Sequence, residues 1–185
     1  MIRVSLQNAF AKRTLKPLLE KHQATPVGVN LHSDARLSTE PNAGQIYSGM
    51  VAAWATEAGG TATVVKIASN LDGTLASNKI FGLFALDANS TINDLDGQPD
   101  DLAPFAVWQG GPDAYFRLDA DVENDVGPFE TTDDYAVGDL LYVSDNGKLG
   151  TGTASTVGDI PIATVIEVVS SSRLVIRLDA PPTVA

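Results

Sequence analysis

The sequence predicts a mainly-β protein, an antiparallel β-barrel or β-sandwich with an extended N-terminal arm, and three observations carry that prediction. Beyond residue 44 the chain consists of short runs rich in Val, Ile, Tyr, Phe and Thr, separated by clusters of Gly, Asn, Asp and Pro. This is the pattern of strands joined by tight turns. Reversal signals, an Asn-Gly pair and a serine run, stand between apolar runs near the C-terminus. Before residue 44 the apolar residues are scattered and keep no period, as suits a chain laid along another surface. The expected organisation is an arm over 1–43, a β domain over 44–180 and a tail over 181–185.

Taken in order, residues 15–22 read as a short helix of one or two turns, with Pro17 tolerated in the first turn. Residues 23–44 read as extended chain. Candidate strands follow at 45–53, 61–68, 80–86, 105–109, 114–118, 140–143, 160–168 and 174–178, and so many short strands point to a sandwich or barrel. Asp145-Asn146-Gly147-Lys148 is the clearest reversal, because Asn-Gly accepts the positive φ of a hairpin turn. Gly59-Gly60 and Asp72-Gly73 are secondary ones, and Ser170-Ser171-Ser172 closes the last hairpin. No repeat of solenoid or propeller length is present. Residues 150–156, built from Gly, Thr, Ala and Ser, read as a loop.

Charge is unevenly distributed. The net charge is -11, yet residues 1–40 hold six cations (Arg3, Lys12, Arg13, Lys16, Lys21, Arg36) against three carboxylates, and the remainder holds six against twenty. A segment of +3 therefore precedes a body of -14. Such asymmetry marks an interaction tail, or else a solvated basic helix; the acidic body repels nucleic acid and anionic membranes, so neither is expected as a partner. No run reaches the about 18 apolar residues of a membrane span, and the first residues lack a signal-peptide core, so a soluble, non-secreted chain is expected. With no Cys in the chain, disulfides and Cys-ligated metals are excluded.

Each chemistry the residues could support sets a requirement of its own. His22 and His32 both fall in the arm, whereas catalysis and metal binding need ligands held in fixed geometry. No G-x-S-x-G elbow occurs, and residues 73–79 lack the second Gly and the Lys-Ser/Thr ending of a phosphate-cradling loop. Asp94-Leu95-Asp96-Gly97 opens like a calcium loop but lacks the later Gly and terminal Glu at their places. Asp119, Asp121, Glu123 and Asp125 alternate, so on an extended chain they share one face, as a solvated edge or a docking strip. Trp54 and Trp108 suit either core packing or sugar stacking. No cofactor, metal site or catalytic residue is assigned, and a non-enzyme is expected.

The strand Val137-Gly138-Asp139-Leu140-Leu141-Tyr142-Val143, the Gly147-Lys148 turn, a polar loop, and the closing runs Ile160-Pro161-Ile162-Ala163-Thr164-Val165-Ile166 and Leu174-Val175-Ile176-Arg177-Leu178 form one ensemble. With Phe81-Gly82-Leu83-Phe84 and Phe105-Ala106-Val107-Trp108-Gln109 before it, this ensemble resembles the capsid cement (head decoration) proteins of tailed bacteriophages. The resemblance implies a virion structural protein, made in the host cytoplasm, that binds the capsid exterior. It further implies stabilisation by bridging neighbouring major capsid protein subunits, as a homotrimer or homodimer. Arg3, Lys12, Arg13, Lys16 and Lys21 are then the residues expected nearest the capsid. Another virion component of tail, neck or fibre base, and a carbohydrate-binding or adhesion module, are the alternative expectations.

Overall fold

The computed structural model describes residues 15–18, 26–30, 45–56, 63–68, 80–85, 88–89, 104–111, 113–123, 125–144, 146–152 and 161–179. Among them are thirteen strands and no helix. They are β1 (Leu15–Pro17), β2 (Val27–Asn30), β3 (Gln45–Ile46), β4 (Val51–Thr56), β5 (Thr63–Ile67), β6 (Ile80–Phe84) and β7 (Ala88–Asn89). Then come β8 (Pro104–Trp108), β9 (Tyr115–Asp119), β10 (Leu140–Val143), β11 (Leu149–Gly150), β12 (Ala163–Ser170) and β13 (Arg173–Leu178). A six-stranded sheet, order β1-β9-β13-β12-β10-β11, curls into a half-barrel. A separate five-stranded sheet has the order β2-β8-β6-β4-β5, and β3 and β7 form a two-stranded ribbon.

The mainly-β expectation holds, and each candidate strand overlaps an observed one. The run over 45–53 is divided into β3 and β4. The division falls at Gly49, whose φ of 98° is open to glycine at little cost. Its N–H donates to the Phe84 carbonyl at 2.8 Å, and a Cβ there would lie 2.8 Å from Pro128 Cβ.

Two segments of the anticipated arm are built into the sheets. Leu15–Pro17, expected to open a short helix, is instead a strand, with Leu15 opposite Leu118 and Pro17 opposite Phe116. Burial decides the matter: Leu15 is 1% exposed and its N–H donates to Ser48 Oγ at 3.1 Å. Proline, which has no N–H, fits β1 because an edge strand needs a ladder on one side only. Val27–Asn30 pairs with β8 in the second sheet. Residues 19–22, the Gly59-Gly60 and Asp72-Gly73 turns, both histidines, residues 73–79 and the acidic run 94–101 lie outside the described residues.

Two apolar layers result from the period of two along the strands. In β9, Phe116 and Leu118 point inward while Tyr115, Arg117 and Asp119 do not. The first layer joins Leu15, Phe116, Leu118, Leu141, Val165, Leu174 and Ile176 of the half-barrel to Val51, Ala53, Ile80 and Leu83 of the second sheet. The opposite face of that sheet carries the second layer, with Ile46, Ala52, Val65, Ile67, Phe81, Phe84 and Val107. Covered on both faces, β6 is buried throughout. Each large side chain fully buried here contributes about 1.5–3 kcal/mol.

The β10–β11 hairpin locks the two sheets together. Val143 pairs with Leu149, so the loop is longer than a two-residue turn, and the positive φ falls on Gly147 (81°) and not on Asn146. Asn146 Oδ1 instead accepts from Ser144 Oγ and from the Lys148 N–H. The Gly147 carbonyl accepts the Val51 N–H of the second sheet at 2.9 Å, and a Cβ on Gly147 would stand 2.3 Å from Ile67 Cγ2. Gly147→Ala is therefore expected to cost about 2–4 kcal/mol, through strain and overpacking together. Urea denaturation of the two proteins measures it, and equal midpoints would show that the turn does not seat as described.

Candidate functional site

The outer face of the half-barrel carries four cations, Lys16, Arg117, Arg173 and Arg177, of which Arg173 is exposed and the others half-buried. Lys16 of β1 lies opposite Arg117 of β9, Asp119 opposite Arg173, and Tyr115 opposite Arg177. Because residues paired across antiparallel strands share a face, this register brings cations from three strands around one carboxylate. Asp119 Oδ2 accepts Lys16 Nζ at 3.3 Å and Arg117 Nη2 at 3.2 Å, while Oδ1 accepts Arg173 Nε. Burial works to raise the Asp119 carboxyl. The hydrogen bond from Arg173, the charges of Arg117 and Arg173 and the Lys16 contact outweigh burial, so the group titrates below its ordinary value of 3.8. Nearby, Asp179 accepts Arg177 Nη2 at 2.9 Å and Thr164 Oγ1 at 2.9 Å. Four cations against these two carboxylates leave the cluster at +2.

Of the five cations expected at an interface, Lys16 alone falls among the described residues, and it is held by Asp119 with its side chain 43% exposed. Arg3, Lys12, Arg13 and Lys21 lie outside them. Arg117, Arg173 and Arg177 carry no signal in a one-dimensional reading, because they are dispersed in sequence and meet only through strand register.

The alternating acids from Asp119 to Asp125 do not share a face. The chain folds back after β9: Asp121 and Val126 exchange backbone hydrogen bonds at 2.7 and 3.0 Å, and Asp121 Oδ1 accepts the Glu123 N–H at 3.1 Å. Asp125, at φ 49°, turns toward Lys148. Lys148 is 7% exposed; its Nζ donates to the Asp125 carbonyl and to Asp125 Oδ1, each at 3.0 Å, and stands 3.9 Å from Glu130. A cation so placed requires such partners, since burying it unpaired is costly. Burial acts to raise Asp125, but the hydrogen bond from Thr131 and the contact and charge of Lys148 bring it below the ordinary value. Tyr135 completes this region, donating to the Glu130 carbonyl at 2.7 Å and meeting Phe129 edge-on. Burial, with the charges of Asp133 and Glu130, pushes its phenol upward.

The indoles serve packing. Trp54 lies on Phe81 with ring centroids 4.1 Å apart, and Trp108 on Phe116 at 5.3 Å, so a sugar-stacking role for either ring loses support. Among the described residues, no three or more His, Asp or Glu side chains gather as metal ligands, and no helix is long and apolar enough to cross a membrane.

A further exposed region lies at the end of the β12–β13 hairpin. Partner strand β10 covers β12 only at Ala163 and Thr164, and the backbone of residues 138–139 extends this cover to Val165. From Glu167 to Ser170 the strand is exposed and carries Val168 and Val169.

No curated protein and no solved structure matches the chain. A family model described as phage cement protein matches residues 1–185.

The Asp119 cluster predicts a pH dependence with a definite sign. Its folded value is lowered, so its contribution is present above the unfolded value of about 3.8 and is lost as pH falls through the folded one. Asp119→Asn is expected to lower stability by about 1 kcal/mol at neutral pH, the upper range for a networked surface pair. The difference between the two proteins should shrink below pH 3.8. Denaturation midpoints followed across that range check it, and a constant difference would count against the cluster.

Proposed function

The chain belongs to the phage cement protein family, a family of capsid-associated structural proteins, and we propose that it binds the capsid exterior and stabilises it by bridging neighbouring major capsid protein subunits. In this reading it acts as a homo-oligomer, on the outside of the virion, by adhesion alone. The whole-chain family match is the observation that carries the proposal.

The physical arrangement supports it. Residues 1–14 carry Arg3, Lys12 and Arg13 and no carboxylate, and they enter the fold at β1, an edge of the half-barrel. Fully extended, fourteen residues reach about 50 Å, enough for contact beyond the body that holds them. An acidic body keeps the particle surface soluble, while a basic segment at its edge steers toward acidic protein surfaces and loses strength with added salt. Repeated over many copies on a capsid, contacts that are weak singly sum to firm attachment. Lys16, already engaged by Asp119, contributes through the shape of the edge more than through free charge.

The test must spare the sheets. Removing residues 1–40 would strip out β1 and β2, so loss of binding would report unfolding. Deleting residues 1–13, or combining Lys12→Glu with Arg13→Glu, leaves both strands in place. Either variant is expected to weaken cosedimentation with undecorated capsids by about tenfold or more, with thermal unfolding unchanged. Wild-type binding by both variants would refute the role of the basic segment, and failure of the intact chain to bind would refute the capsid reading itself.

A further inference from the structure

Asn146-Gly147, in the loop between β10 and β11, is the one Asn-Gly pair in the sequence. Asparagine followed by glycine is labile in water, because glycine has no Cβ to shield its nitrogen and its backbone turns freely. The Gly147 nitrogen, once its proton passes to base, attacks Asn146 Cγ. The N–Cγ bond forms, the Cγ–Nδ2 bond breaks, and the departing nitrogen takes a proton from solvent and leaves as ammonia. The succinimide that remains is opened by water at one carbonyl or the other, giving Asp or isoaspartate.

The fold demands the glycine of this pair. Gly147 sits at φ 81°, and a Cβ there would stand 2.3 Å from Ile67 Cγ2 and 3.0 Å from the Ala68 carbonyl oxygen. The same turn keeps both reacting groups occupied. The Gly147 N–H donates to the Ser144 carbonyl at 3.1 Å, so the proton that must leave is held within the turn. Asn146 Oδ1 accepts from Ser144 Oγ and, at 3.2 Å, from the Lys148 N–H, which fixes the rotation of the carboxamide. The Ser144 N–H donates to the Lys148 carbonyl at 2.8 Å, and the Gly147 carbonyl accepts the Val51 N–H at 2.9 Å. Ring closure requires Cγ to swing onto the Gly147 nitrogen and the peptide plane between the two residues to turn. Hydrogen bonds that pin Gly147 at both its N–H and its carbonyl oppose that turn.

We propose that Asn146 is a conformation-gated deamidation site. It is protected while the β10–β11 turn is seated on the second sheet, and it reacts in the fraction of molecules whose turn has lifted. The rate then follows the population of the open turn, as it does for other chemistry that needs local unfolding. The two products differ in consequence. Asp keeps a side-chain oxygen for Ser144 Oγ and the Lys148 N–H. Isoaspartate routes the main chain through Cβ and inserts one atom between the Cα of residue 146 and the Gly147 nitrogen. Gly147 can then no longer meet Val51 while fitting against Ile67, so this branch holds the turn open permanently. The site needs no capsid and is separate from adhesion.

Incubation of the purified full chain at mildly alkaline pH, with Asp and isoaspartate at position 146 counted by peptide mapping, tests it against the same chain unfolded in guanidinium chloride. The folded chain should react at least about thirtyfold more slowly. Ser144→Ala, which removes one donor to Oδ1, should speed the folded chain by about three- to tenfold and leave the unfolded rate unchanged. Asn146→Asp should unfold at the wild-type denaturant midpoint, and the purified isoaspartyl chain at a lower one. Equal rates in the folded and unfolded chains would overturn the gate. So would a faster folded rate, in which the donors to Oδ1 would be stabilising the developing oxyanion. A folded Ser144→Ala chain no faster than wild type would overturn the clamp on the carboxamide, and an isoaspartyl chain as stable as wild type would overturn the permanently open turn.

Discussion

The architecture depends on how closely the backbone of one turn approaches a second sheet. At Gly147 the β10–β11 loop comes so near Ile67 that no side chain fits between them, and the glycine carbonyl takes the Val51 N–H. Gly49 makes the converse approach, from the second sheet onto Pro128 and Leu118. Two glycines thus fix how the half-barrel and the second sheet face one another. Because Lys148 follows Gly147 directly, seating the turn also carries an ammonium group into the Asp125 and Glu130 region. Packing between the sheets and order in the acidic turn are therefore coupled.

Around that seam the molecule separates its forces by face. Inside, Leu, Ile, Val and Phe form two layers with Ser48 and Lys148 as the buried polar exceptions among the described residues, each with a named partner. Outside, the cations of β1, β9 and β13 are matched with Asp119 and Asp179. Such pairing adds little to stability by itself, since exposed ion pairs are weak in water. Its consequence is to hold long side chains in place, so that the outer face is a shaped surface and less a field of free charge. A shaped and partly ordered surface lowers the entropy lost in docking on any partner.

The charge asymmetry gains meaning in the same frame. Cations early in the chain and carboxylates later are distant in sequence, but the strand order brings the start of β1 to the end where the turn after β9 and the β12–β13 tip emerge.

The residue pattern was enough to establish the β class, the approximate place of eight strands and the two C-terminal hairpins. Strand preference and turn chemistry act within a few residues, so runs such as Leu140–Val143 and Arg173–Leu178 announce themselves. The shortest strands were illegible, because β7 and β11 have two residues each and take their conformation from a partner strand. For Leu15–Pro17, burial beside Ser48 overrode a local pattern that suggested a helical turn. The alternation from Asp119 to Asp125 misled for the same reason: a backbone bridge and a buried lysine bent the chain away from the extended form that alternation presumes. Class and strand positions are local properties and were determined by the sequence itself. Which cations meet one carboxylate, which valines stay exposed and which ends lie together depend on register between distant strands, and only the tertiary structure decided them.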